Sequence, residues 1–231
     1  MKLKLFLLCT TIFCCCKASA QSSFLLQPTG QANYETCQSY SLAVALAIKH
    51  DAAFPIVTAA DLQKTELAIR AEIKKVAGNT SVNHAHIEAG FKAFTNGAYI
   101  LKIENLPEDQ LGEKIGQYTG ISNKAAVPPS FLLGSTVKDV VLTSTTRIGS
   151  NKYASSHIIA AFGMDGPPNS NRSYLFLNSA VKAKDKTKNV CQEGIPDDPG
   201  PYTALLSWVS TSEIDFTKFG GVVKLWRVQK P

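Results

Sequence analysis

Cysteine nearly vanishes from this chain once its first 20 residues are set aside. Four of the six cysteines (Cys9, Cys14, Cys15, Cys16) fall in that opening stretch, which leaves only Cys37 and Cys191. Two cysteines make no disulfide framework, so the small stapled folds are excluded. In an oxidising compartment the two either pair with each other or stay unpaired for a reason. Charge of one sign is scarce too. Three of the 24 basic residues (Lys2, Lys4, Lys17) and none of the 18 acidic ones lie in residues 1–20, so the net charge falls from +6 to +3 beyond them. No dense basic stripe interleaved with aromatics stands out, and nucleic acid is not expected as a partner. Beyond residue 20 no apolar run is long enough to cross a bilayer, and no internal repeat or low-complexity segment is visible.

Residues 1–20 read as a secretory signal. Lys2 and Lys4 supply a positive start, Leu5 to Cys16 an apolar stretch too short for a membrane span, and Ala18-Ser19-Ala20 a small-residue cleavage site. The expectation is cleavage near Ala20–Gln21 and a secreted or periplasmic protein. Residues 21–231 suffice for one domain with a sizeable core.

The strongest local signal is Leu42-Ala43-Val44-Ala45-Leu46-Ala47-Ile48, preceded by Cys37-Gln38-Ser39-Tyr40-Ser41. Good helix formers without Gly or Pro predict a buried helix with Cys37 in its first turn. There the unpaired N–H groups and the helix dipole favour a thiolate. A second helix is predicted from Thr58, its N-cap, to Val76, with Leu62, Leu67, Ile69, Ile73 and Val76 as its apolar face. A third runs from about Asn83 to Thr95 and closes at Asn96-Gly97. After Val127-Pro128-Pro129 the chain turns β-branched and aromatic. Strands are predicted at 131–133, 137–142, 157–162, 174–177 and 222–228. Helices first and strands later predict an α+β protein, with a helical lobe at about 31–118 facing a sheet-rich lobe at about 119–231.

Polar residues at the ends of core strands mark where chemistry collects. His157 opens Ile158-Ile159-Ala160-Ala161-Phe162, and Asn178 closes Tyr174-Leu175-Phe176-Leu177. A cysteine nucleophile needs a base, and the base needs a group to hold its ring. Cys37, His157 and Asn178 are those three residue types, and Gln31 offers a side-chain N–H to a developing oxyanion.

These residues carry a resemblance. Gln31 six positions before a helix-opening Cys37 is similar to the start of papain-like cysteine proteases. His157-Ile158-Ile159-Ala160-Ala161-Phe162-Gly163 resembles that family's histidine strand, Asn178-Ser179 its Asn-Ser pair, and Phe219-Gly220-Gly221-Val222-Val223-Lys224-Leu225 its last strand. The order Gln, Cys, His, Asn also agrees. The resemblance implies a two-lobe fold over residues 21–231, with an antiparallel, barrel-like second lobe and the active site in the cleft. It implies a thiol hydrolase that cleaves peptide or isopeptide bonds in a protein or peptide substrate. Cys37 would be the nucleophile, His157 the base paired with it as imidazolium, and Asn178 the ring's anchor. Gln31 and the Cys37 N–H would form the oxyanion hole. Gln38 stands where the family has Trp, and Ala180 follows Asn178-Ser179 where a second Trp shields the His–Asn bond. Phe176, Trp208 and Trp226 are the aromatics available to shield it instead. The family's disulfides have no counterpart. The implied identity is a divergent secreted member, such as an effector or toxin component. The alternatives are another thiol acyl transferase (deamidase, transglutaminase or peptidoglycan amidase) and a degenerate papain-like binding protein or toxin subunit.

Other features have plainer readings. No cofactor and no metal site are expected: His84 and His86 lie two apart on a helix with no third ligand, and read as helix-terminus residues. Cys191 lies between Lys-rich and Pro-rich stretches, where it would be free, paired with Cys37, or bonded to a partner chain.

Overall fold

The computed structural model describes residues 24–25, 32, 36–124, 132–133, 137–149, 151–167, 171–182 and 202–231. Gln31, Cys191 and the signal-like residues 1–20 lie outside them.

In chain order the elements are β1 (Phe24–Leu25), α1 (Cys37–Ile48), α2 (Ala59–Ala77), α3 (His84–Phe94), β2 (Ile100–Leu106) and α4 (Glu108–Thr119). Then come β3 (Leu132–Leu133), β4 (Val141–Ile148), β5 (Asn151–Asp165), β6 (Ser173–Lys182) and β7 (Tyr202–Ser210). A short 3₁₀ turn, β8 (Ile214–Phe216), β9 (Lys218–Phe219) and β10 (Val222–Gln229) end the chain. The architecture is α+β. An antiparallel sheet runs in the order β2-β10-β4-β5-β6-β7, with β8 added to β4 and β9 to β10, while β1 and β3 pair separately.

The sheet is covered on both faces, which explains why its central strand reads as an unbroken apolar run. Along β5, Ile158, Ala160 and Phe162 join the core under α1, α2 and α3. Ile159, Ala161 and Met164 join a second core with Leu111 and Ile115 of α4 and with Phe216 of β8. Successive strand residues point to opposite faces, so with both faces buried no polar alternation remains. Helix α1 lies against the sheet on one side and α2 on the other, and its residues from Ser39 to Ile48 are buried. A helix apolar on every side is stable only when enclosed in this way. Asp139 ties Lys49, at the C-cap of α1, to Arg227 of β10 through Nζ–O and Nη2–O distances of 2.7 and 3.2 Å.

The helix ends follow their sequence signals. Thr58 caps α2 in a reciprocal box with Asp61. Asn83 caps α3 in the same manner with His86, so His86 serves the helix terminus. The predicted apolar face of α2 needs correction. Leu62, Ile69 and Ile73 are buried, but Leu67 and Val76 are 41% and 42% exposed. Glu66 and Ala77 complete the buried stripe in their place. The 62, 66, 69, 73, 77 spacing is the helical repeat, and it ran through a glutamate that hydrophobicity alone passes over. Strand β2 lies within the stretch predicted to be helical, and it pairs along β10 from Ile100 to Leu106. Strand β4 begins at Val141 rather than 137, and β7, β8 and β9 add pairings that the sequence patterning did not mark.

Helices α2 and α3 pack backbone to backbone. A Cβ on Gly90 would lie 2.5 Å from the Ile73 Cα, so only glycine fits. Gly90→Ala should therefore overpack this contact and destabilise the fold by about 1–3 kcal/mol. A urea transition shifted to lower concentration with an unchanged slope is the expected readout; an unmoved midpoint would refute the close contact.

Candidate active site

Cys37 is the first residue of α1, and the helix start is built unusually. Thr36 occupies the N-cap at φ −106°, ψ 8°, yet its side chain makes no cap bond. Its hydroxyl turns instead to the carboxylate of Glu66. Helix α1 is then joined to β5 at a single residue. The Ile158 N–H lies close enough to the Cys37 sulfur to favour its thiolate, and the Ser41 hydroxyl donates to the Ile158 carbonyl at 3.2 Å. The Ile158 N–H belongs to the peptide that links it to His157, so the thiol meets β5 at His157's own backbone. Both residues line one cavity of about 650 Å³, together with Gln38, Ser156, His84 and Phe219. The cavity is bounded by the start of α1, the α2–α3 connection, β5 and β9.

The imidazole is held from one side. His157 Nε2 lies 3.0 Å from Asn178 Oδ1. Asn178 in turn donates from Nδ2 to the Tyr153 hydroxyl at 3.1 Å, which fixes the amide with its oxygen toward the ring. An amide oxygen only accepts, so Nε2 carries the proton and Nδ1 presents a lone pair. That Nδ1 is buried and has no hydrogen-bond partner. Tyr153 also stacks on the imidazole, with centroids 4.3 Å apart at 20°. The aromatic cover over the His–Asn pair is therefore Tyr153. Phe176 packs with Tyr174 and Phe216, Trp226 packs with His84, and Lys124 lies over the Trp208 ring.

Burial governs the charges. Cys37 is 8% exposed and His157 1%. Burial pushes the Cys37 thiol up to about 11, although the N–H groups of Ile158, Gln38 and Cys37 itself oppose the rise; the nearby Glu66 adds to it. Burial pushes the His157 imidazole down to about 4, against the Asn178 bond. These shifts favour a neutral thiol and a neutral imidazole at rest, not the thiolate that the helix start predicts or the imidazolium that the family resemblance implies. A helix N-terminus is worth about 0.3–1 kcal/mol to an anion, whereas desolvating a buried charge costs several. The thiol donates to Gln38 Oε1 at 3.3 Å.

The structure thus bonds His157 to Asn178 and places Cys37 and His157 on one cavity without a hydrogen bond between thiol and imidazole, while Gln31 lies outside the described residues. Cys37 is a free thiol, so a Cys37–Cys191 bond is not formed, and Cys191 itself is not described. Sequence reasoning missed Tyr153 and the contact of Gln38 with the thiol. Tyr153 was hidden because the predicted strand starts at 157, and β5 reaches the tyrosine across a register irregularity that patterning does not show. Among the described residues no group of three or more His, Cys, Asp or Glu is placed to hold a metal. His84 instead accepts from Lys224 at 3.2 Å and lies edge-on to Phe219. No helix among them is long and apolar enough to cross a membrane. Compared with known proteins, the chain matches no protein-family model, no curated protein and no solved structure.

Two measurements follow. Iodoacetamide alkylation of Cys37 should rise about tenfold per pH unit between about pH 6 and pH 9, because only the thiolate reacts. A flat rate over that range would mean a preformed ion pair. Tyr153→Phe removes the hydroxyl that orients the Asn178 amide and should cost about 1 kcal/mol of stability, read by denaturant unfolding.

Proposed function

We propose that this protein is a papain-like thiol hydrolase that cleaves peptide or isopeptide bonds through a Cys37–His157–Asn178 triad. The observation that carries the reading is the His157 ring: Nε2 is tied to Asn178 Oδ1, and the buried Nδ1 is left without a partner beside the cavity that Cys37 also lines. An unpartnered lone pair in the interior costs about 1–3 kcal/mol, and one proton acceptor so placed is what a thiol nucleophile requires. The two-lobe arrangement with the site in its cleft, and a secreted or periplasmic effector- or toxin-like role, belong to the same proposal.

The neutral resting pair sets the order of events. As Cys37 Sγ attacks the substrate carbonyl carbon, its proton passes to His157 Nδ1, so the sulfur gains a bond as it loses the proton. The carbonyl oxygen becomes an oxyanion, which the side-chain N–H of Gln31 and the Cys37 N–H stabilise. Collapse breaks the carbon–nitrogen bond, and His157 returns the proton to the leaving amine. The thioester is then hydrolysed by a water whose proton His157 takes, which releases the acid and restores the thiol. Asn178 keeps Nε2 protonated and the ring in plane, while Tyr153 covers the pair.

The second reading, a degenerate binding protein, has one observation in its favour: a nearly closed thiol whose burial holds it neutral. The two part on a simple acyl donor. Incubation with p-nitrophenyl acetate should give a burst of p-nitrophenol and an acetylated Cys37 by mass spectrometry. Cys37→Ala should abolish both, and His157→Ala should slow acylation by about 10²–10⁴-fold. A folded protein with no acyl adduct at Cys37 would leave the binding reading standing.

A further inference from the structure

Glu66 sits in the middle of α2 with a side chain 0% exposed, on the stripe that should be apolar. A carboxylate there is expensive unless it is employed. It is employed at both ends of the segment leading into Cys37. Glu66 Oε1 accepts the backbone N–H of Ala32 at 2.8 Å. The same carboxylate takes the hydroxyl of Thr36, the residue before Cys37 and the N-cap of α1. Thr36 is itself fully buried, and giving its hydroxyl to α2 is why it makes no side-chain cap bond to its own helix. Ala32 follows Gln31 directly, so the peptide whose N–H is held joins the two. The second carboxylate oxygen, Oε2, is buried without a hydrogen-bond partner, as is the hydroxyl of Tyr40, one turn along α1 from Cys37.

We propose that Glu66 is a positioning residue for the Cys37 site, clamping the approach to α1 at Ala32 and Thr36 so that Cys37 enters the helix at one fixed point. The clamp itself rests only on geometry; its effect on chemistry rests on the hydrolase reading above. The arrangement carries a mark of function over stability. Burial pushes the Glu66 carboxyl up to about 7, against the help of Thr36 and Ala32. A buried carboxyl held at that cost and with one oxygen idle is a weak source of folding stability compared with an apolar side chain in an apolar setting. Retaining the glutamate makes sense when its two acceptor bonds hold a segment that has to be exact, since small misplacements of a reacting group cost about 10²-fold in rate.

Two substitutions separate the possibilities. Glu66→Leu keeps the volume and deletes the acceptor, whereas Glu66→Gln keeps a carbonyl oxygen in its place. Amide exchange at Ala32, followed by NMR, should be slow in the wild type and in Glu66→Gln and fast in Glu66→Leu, while exchange along β5 and β6 stays unchanged. Acylation of Cys37 by p-nitrophenyl acetate should fall about 10–100-fold in Glu66→Leu and stay within a few-fold in Glu66→Gln. The melting temperature of Glu66→Leu should fall modestly, because the buried Thr36 hydroxyl and the Ala32 N–H lose their acceptor, and that of Glu66→Gln should fall less. Thr36→Val, which deletes one of the two clamped donors, should move acylation in the same direction and supplies the test if Glu66→Leu does not fold. Persistent protection of Ala32 in Glu66→Leu, or undiminished acylation in both Glu66→Leu and Thr36→Val, would overturn the proposal. A wild type that forms no acyl adduct would defeat the hydrolase reading alone, and Ala32 exchange would then decide the clamp.

Discussion

The joint between α1 and β5 at Ile158 is the constraint on which the site depends. One residue meets both the thiol of Cys37, at its N–H, and the hydroxyl of Ser41, at its carbonyl. That N–H belongs to the peptide following His157, so the thiol lies beside the strand segment that carries the imidazole. The joint needs small side chains where α1 meets the strand, and Cys37, Ser41 and the alanines of α1 are small enough for that approach. It also needs a strand buried on both faces, so that β5 does not slide or fray. The continuous apolar run of β5 and the all-round apolar surface of α1 are thus two requirements of one contact.

Enclosure has a uniform electrostatic consequence. Cys37 and Glu66 are pushed up and His157 is pushed down, and in each case burial is the largest cause. All three shifts favour the neutral form. Under the hydrolase proposal, a site arranged in this way would store no charge at rest and would generate it only as a substrate arrives, when the thiol proton would move to Nδ1. It gives up ready thiolate reactivity and with it the exposure to oxidants that a reactive surface cysteine suffers. The same neutrality is what a retired active site would have, which is why the chemistry of Cys37 rather than its geometry separates the two functional readings.

The architecture was legible where one signal decided a segment by itself. Thr58 and Asn83 marked helix starts because a cap acts locally, through a hydrogen bond that closes within three residues. The α1 helix was legible from composition, and β5, β6 and β10 from runs of β-branched and aromatic residues. Strand β2 was not legible, since Ile100–Leu106 alternates imperfectly and acquires its strand character by pairing with β10, more than a hundred residues away. The face of α2 was misread for a related reason: Leu67 and Val76 are apolar enough to suggest burial, but which side of a helix is inside depends on what it packs against. Glu66 was passed over because its worth lies in the partners it meets, not in its own character.

For the candidate site, the sequence by itself determined the residue types and their order: a thiol at a helix start, a histidine on one core strand and an asparagine on the next, although both sit inside longer strands, β5 (Asn151–Asp165) and β6 (Ser173–Lys182), rather than at the strand ends that the patterning predicts. It also determined that two cysteines and a mild charge beyond residue 20 leave little room for a disulfide scaffold or a nucleic-acid binder. Only the tertiary structure decided that Nε2 is bound and Nδ1 open, that Tyr153 rather than Phe176, Trp208 or Trp226 covers the ring, and that the resting pair is neutral. The physical reason is that residue identity and local propensity are written along the chain, while hydrogen-bond geometry and desolvation depend on neighbours far apart in it. Glu66 and Ala32, Ile158 and Cys37, and Tyr153 and Asn178 become neighbours only when the chain is folded.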